Sequence, residues 1–291
     1  MPVYERSYRN YDGAMRHQFR WWIVLEQEFR VLSRSKIFKF LVILAAIQVL
    51  VRLLQVVAYD VVIQDPNHPM AAILSQVDGI VVKSSTFFDF VRLQSPVMFI
   101  MLLFAGSGMI CNDFRNNLME IYFSKPMRWY DYVVGKTAAL ILLGLCVTAL
   151  PAVLLIAQHN LLLPNWALFQ ESLNWAAASL GFSLALVVPT ALAILACSAL
   201  LPGQNYAAIT VFMLLIANST MAGLLAGALR DRNYLILSFP MAIHRLGQFF
   251  FEDRSLIFDL DWKWAFALVF AVSFVSLLIV MRRARRSEMA A

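Results

Sequence analysis

The chain has 291 residues, a length that suits one or two soluble domains, but 61% of them are hydrophobic, only 14% are charged, and the mean hydropathy is +0.69. A water-facing surface cannot be built from that composition, so the sequence predicts an all-α polytopic membrane protein. The formal net charge of +6 gathers beside apolar runs, with no continuous basic stripe interleaved with base-stacking aromatics, which argues against a nucleic-acid partner.

Residues 1–36 are polar and aromatic, unlike the basic start and cleavage site of a secretory signal, so the amino terminus is expected to be retained and cytoplasmic. Within them Trp22, Leu25, Phe29 and Leu32 recur at spacings of three and four, with Arg20, Gln27, Arg30 and Arg34 opposite. This pattern predicts an amphipathic helix in the membrane interface, serving either as an anchor or as a transmitter of force.

Six apolar spans follow: Ile37 to Val57, Pro96 to Cys111, Val133 to Ala157, Trp175 to Leu200, Tyr206 to Leu229, and Trp264 to Met281. The domain division is therefore 1–36 for the interfacial segment, 37–281 for the six-span domain and 282–291 for a basic cytoplasmic tail. The first span carries Gln48, Arg52 and Gln55 on one face, where an arginine either snorkels outward or lines a polar substrate path. The second is expected to begin nearer Phe90, with Arg92 snorkelling and the glycine-rich "FAGSGMIC" allowing close helix contact.

The next segment, "CNDFRNNLMEIYFSKPMRWYDYVVGK", is an amphipathic element broken by Pro126. It ends in Gly135-Lys136-Thr137, the closing letters of a phosphate loop. That loop needs a glycine five positions before the Gly-Lys pair and a preceding strand; Tyr130 occupies the position and an apolar span follows. Gly135 and Lys136 instead mark where the loop re-enters the membrane, with Lys136 expected near lipid phosphates.

In the fourth span "GFSLA", Gly181 to Ala185, approaches the Gly-x-Ser-x-Gly setting of a serine nucleophile but lacks the last glycine. "LPGQN" reads as a tight turn into the fifth span, which holds Asn218 and Thr220, candidates for a substrate path or for helix-to-helix bonding. Gly223 and Gly227, four apart, suit a dimer interface. Pro151 and Pro189 read as kinks. A long stretch from Arg230 to Lys263, interrupted by Pro240 and Gly247, precedes the sixth span and its "RRARR".

Arg30, Arg34 and Lys36, then Lys125 and Arg128, then the final arginines flank the span ends on one side, which an even span number places in the cytoplasm. As drawn, no span contains a carboxylate, and His17, His68, His159 and His244 all fall outside, which weighs against proton relay and a Ser183-centred protease. Cys111, Cys146 and Cys197 have no paired spacing, so neither a metal site nor a disulfide framework is expected.

The element "SKPMRWYDYVVGK" behind an acidic residue, the segment "EQEFRVLSRSKIF" entering the first span, and the six-span layout together resemble ABC-2 permeases, the membrane subunits of ABC transporters. The commonest pattern of that family has a glutamate followed by Gly-Thr-Leu; here Asp113 and "FRNNLMEIYF" stand in its place. The resemblance implies a separate nucleotide-binding subunit that carries ATP and Mg, no cofactor in this chain, and a second permease copy in a homodimer or heterodimer. It implies docking through Asp113, Arg115, Leu118, Glu120, Ile121, Lys125 and Arg128, with Leu118 and Ile121 as apolar anchors; an ordinary solvated loop is the alternative. It also implies a re-entrant or surface helix between spans five and six, export, and an inner (plasma) membrane location with both termini cytoplasmic. The apolar spans favour a lipophilic, lipid or peptide substrate. An intramembrane enzyme and a non-transporting anchor or receptor are the competing functions.

Overall fold

The computed structural model describes residues 19–64, 81–123, 127–162, 166–252 and 261–290. Among them there is no strand; the elements are α1 (Arg20–Arg34), α2 (Lys36–Gln64), α3 (Ser84–Gly106), α4 (Cys111–Arg115), α5 (Leu118–Phe123), α6 (Trp129–Val147), α7 (Ala149–Leu162), α8 (Trp166–Leu200), α9 (Gln204–Leu229), a 3-10 helix (Arg232–Leu237), α10 (Phe239–Phe250) and α11 (Trp262–Ala290).

Six stretches are long and apolar enough to cross a membrane: Lys36–Val62, Ser84–Arg115, Trp129–Leu162, Phe169–Leu200, Gln204–Leu229 and Trp262–Glu288. All six match expected spans, and most run well past the apolar cores marked in the sequence. Backbone hydrogen bonding within a helix carries it on beyond the last apolar residue, so hydropathy windows end early. The second span shows this most, because Arg92 and Pro96 interrupt the apolar run while the helix continues through both.

The longer helices correct one expectation. Asp60, Asp89, Asp113 and His159 all lie within spans, so carboxylates and a histidine are present there after all. The segment between the first two apolar cores is likewise helical at both ends, with 65–80 lying outside the described residues. The "RRARR" arginines continue α11 without a break.

Burial separates the spans into two classes. The second, third and fourth bury 67%, 56% and 61% of their apolar windows inside the protein, whereas the first, fifth and sixth bury 17%, 11% and 22%. The middle three therefore form the core, and the others present exposed leucine, isoleucine and phenylalanine side chains such as Ile47, Leu214 and Phe270, as lipid-facing helices do.

Proline divides the third span: α6 stops at Val147 and α7 starts at Ala149, because Pro151 has no N–H for the Val147 carbonyl. Thr148 donates its hydroxyl to Gly144 O at 2.9 Å across this break. Pro189, by contrast, sits inside an unbroken α8.

Between spans five and six, Asn218 of α9 fixes the connection by donating to Leu237 O (3.0 Å) and accepting from Phe239 N–H (2.6 Å). The following α10 is amphipathic and buries Ala242, Ile243, Leu246 and Gly247 against α3, α8 and α11. A Cβ at Gly247 would overlap the rings of Phe88 and Phe182, so only glycine lets α10 seat this deeply.

Candidate functional site

The polar centre of the molecule lies where α1, the α3–α4 turn and α6 converge. We call this the loop end, since the α4–α5 segment leaves from it. On α1 the packed stripe is Trp21, Val24, Leu25, Glu28, Phe29 and Leu32, so three of the four expected apolar positions pack and Trp22, 45% exposed, gives way to Trp21. The stripe lies along α6, where a Cβ on Gly135 would come within 2.8 Å of Trp21 O, a backbone atom that cannot step aside. Glycine at 135 is thus what allows the two helices to approach.

The next residue uses that approach. Lys136 is 1% exposed and donates to Glu28 Oε1 of α1, to Asp113 Oδ2 of α4 (2.7 Å) and to Met109 O (3.0 Å). All three ammonium hydrogens have acceptors, and Asp113 Oδ2 also accepts from the Tyr132 hydroxyl at 2.8 Å. Lys136 is therefore not at lipid headgroups, as its sequence position suggested; two carboxylates and a carbonyl substitute for water around it.

Burial of this kind is costly unless each charge is paired and hydrogen-bonded, and here each is. Tyr122 of α5 packs its ring on Tyr132, with centroids 5.6 Å apart. Burial pushes the Tyr122 hydroxyl above its ordinary pKa; the Lys136 charge opposes this, and Asp113 and Glu28 add to it.

Ser198 of α8 completes the support. Its hydroxyl donates to Ser107 O (2.8 Å) and accepts from Ile110 N–H and Cys111 N–H (both 3.1 Å), stitching the turn between α3 and α4 to the core. These peptide groups lie beyond the end of α3 and have no regular helical partners, so a buried hydroxyl takes their place.

Outward from this centre, Asn117 turns the chain in a left-handed conformation (φ 53°), which asparagine tolerates, and α5 follows. Met119 anchors α5 inward, while Arg115, Glu120, Ile121 and Arg128 are exposed and Leu118 is half-buried. Asp113, grouped with them from sequence, points inward to Lys136, and Lys125 lies outside the described residues.

Other expected residues are dispersed. Arg52 Nη1 donates to Gln55 Oε1 at 2.7 Å on α2, and Gln48 Oε1 is buried with no partner among the described residues. Thr220 bonds back to Ile216 O (2.9 Å). Cβ atoms at Gly223 and Gly227 would meet nothing within 4 Å, so that face of α9 is uncovered in the single chain. Ser183 is fully buried, and His159 Nδ1 is engaged 2.8 Å from Asp60 Oδ1. Among the described residues no group of three or more metal-ligating side chains occurs.

Glu28, Tyr132 and Ser198 were not singled out in the sequence. Glu28 left a signal, since it is a carboxylate inside an apolar stripe just before a span, and Lys136 is a lysine needing a partner inside another. Ser198 left none, because an isolated serine in a span has no pattern.

A search for similar curated proteins finds no match. A family profile described as "ABC-2 family transporter protein" matches residues 22–251, a range that takes in α1, the buried lysine centre and the first five spans. The chain belongs to the ABC-2 family of transporter proteins.

Proposed function

We propose that this chain is the membrane subunit of an ABC exporter in the inner (plasma) membrane, with both termini cytoplasmic. A separate nucleotide-binding subunit, carrying ATP and Mg, docks at the loop end through Arg115, Leu118, Glu120, Ile121 and Arg128. Two permease copies, identical or related, make the working unit, and the cargo is lipophilic. The observation that carries this reading is the exposed α5 face mounted directly on the Asp113–Lys136–Glu28 centre.

In mechanism, a push on α4 and α5 reaches Asp113, which is bonded to Lys136 of α6, which is bonded to Glu28 of α1. The four elements then move as one body, and the core span α6 is displaced with the surface helix. Such rigid-body coupling between an ATP-driven partner and a helix bundle is what alternating access requires.

Replacing Leu118 and Ile121 together by glutamate tests the docking face. The expected result is loss of the co-purifying ATPase with an unchanged thermal unfolding profile of the permease. Retained association would overturn the assignment.

A further inference from the structure

Two adjoining cavities of about 430 and 300 Å³ lie between α8, α9 and α11, with α3 and α10 at one end. They share Phe99, Thr190, Leu215 and Phe239 as walls, so they form one slot. Along α8 the lining runs from Phe182 to Leu200, which at 1.5 Å per residue is about 27 Å, close to the hydrocarbon thickness of a bilayer. A slot that long suits an extended chain better than a compact ring system.

Three of its polar side chains are already engaged. Thr190 donates to Leu186 O (2.7 Å), Ser95 to Arg92 O (2.8 Å), and Asn218 is held by the backbone around α10. Only the end at Arg92 and His244 carries basic side chains. Arg92 stands about 12 Å along α3 from Ser84, inside the second span, with its side chain 59% exposed and so open to an acidic headgroup. Asp89 on the same helix forms only a long ion pair with it, 3.9 Å from Nε and exposed, without a hydrogen bond, which leaves the guanidinium hydrogens for a further acceptor.

A lipid tail gains nothing by leaving bilayer hydrocarbon for an apolar slot, so any preference among lipids must arise at the Arg92 end. We propose that the slot holds one acyl chain of an anionic lipid with its acidic headgroup at Arg92. That this lipid is the exported molecule rests on the transport reading above.

The test places the full-length chain in phosphatidylcholine nanodiscs containing phosphatidylglycerol or phosphatidylcholine with a photoactivatable acyl chain, and maps labelled residues by mass spectrometry. Labels are expected on Ala193, Leu215 and Ser276, with phosphatidylglycerol favoured about fivefold, the effect of one basic side chain on an anionic lipid. Arg92→Gln should bring the ratio to one, and Ala193→Phe should deplete slot labels while leaving those on the outer face of α2. Labels spread evenly over α2, α9 and α11, or a ratio untouched by Arg92→Gln, would overturn the site even if an ATPase partner is confirmed. With that partner and ATP, a fall in slot labelling supports the lipid as cargo, and unchanged labelling overturns that assignment while leaving the binding site standing.

Discussion

Buried ionic groups occur at both ends of the bundle, and they are built differently. At the loop end, Lys136 has three acceptors drawn from α1, α4 and the α3–α4 turn, with Tyr132 and Ser198 holding those acceptors in place. At the distal end, Asp60 of α2 meets His159 of α7, which stacks on Trp175 of α8, and Asp60 Oδ2 has no partner among the described residues. The first is a cross-linked hub, and the second is one polar bond beside the apolar packing of α2, through Leu41, Ala45 and Val56, against the core. The loop end thus ties three elements together by several charged bonds, whereas at the distal end a single polar bond joins α2 to α7 beside their apolar packing.

Lys136→Met should have the largest effect of any single change, because it leaves Glu28 and Asp113 buried without a counter-charge. The expected loss is about 3–5 kcal/mol, read as a fall in unfolding temperature in detergent. A triple variant, E28Q with D113N and K136M, should recover most of it, since neutral replacement of a whole buried cluster is far less costly than removing one member. Failure of that recovery would mean the cluster stabilises by packing and not by charge pairing.

Ser198→Ala comes next, at roughly 2 kcal/mol, because it strands two N–H groups in the core, while Ser107 O keeps the Cys111 thiol as a donor. Faster hydrogen exchange confined to the peptides around Ser107 to Cys111 would identify the cause. At the distal end Asp60→Asn keeps a hydrogen-bonding group for His159, so about 1 kcal/mol is expected. A cost equal to that of Lys136→Met would erase the contrast between the two ends. Ile121→Glu is the smallest, within about 0.5 kcal/mol of the parent by thermal unfolding, since the side chain is 56% exposed; its effect is expected on partner binding instead.

The number and order of the spans were legible because twenty-residue apolar runs have few alternatives in a membrane. Helix ends were not, since Pro96 and Arg92 interrupt the hydropathy pattern without interrupting the backbone ladder. The amphipathic α1 was legible as a helix, and Leu25, Phe29 and Leu32 pack as its periodicity predicts; Trp21 in place of Trp22 and the carboxylate of Glu28, to which Lys136 donates, were not legible. The Gly-Lys-Thr triplet carried its chemistry openly, a glycine beside a lysine, but its purpose was hidden.

Composition and apolar periodicity by themselves determined an all-α membrane chain with six spans and an amphipathic helix before the first, because peptide groups in hydrocarbon must pair internally and continuous apolar runs of about twenty residues suit helices and not the alternating strands of a barrel. Only the tertiary structure decided that Gly135 admits α1 against α6, that Lys136 pairs with residues 108 and 23 positions away in sequence, and that five helices leave a slot beside Arg92. Those outcomes depend on which faces meet, and local sequence does not encode the partner of a face.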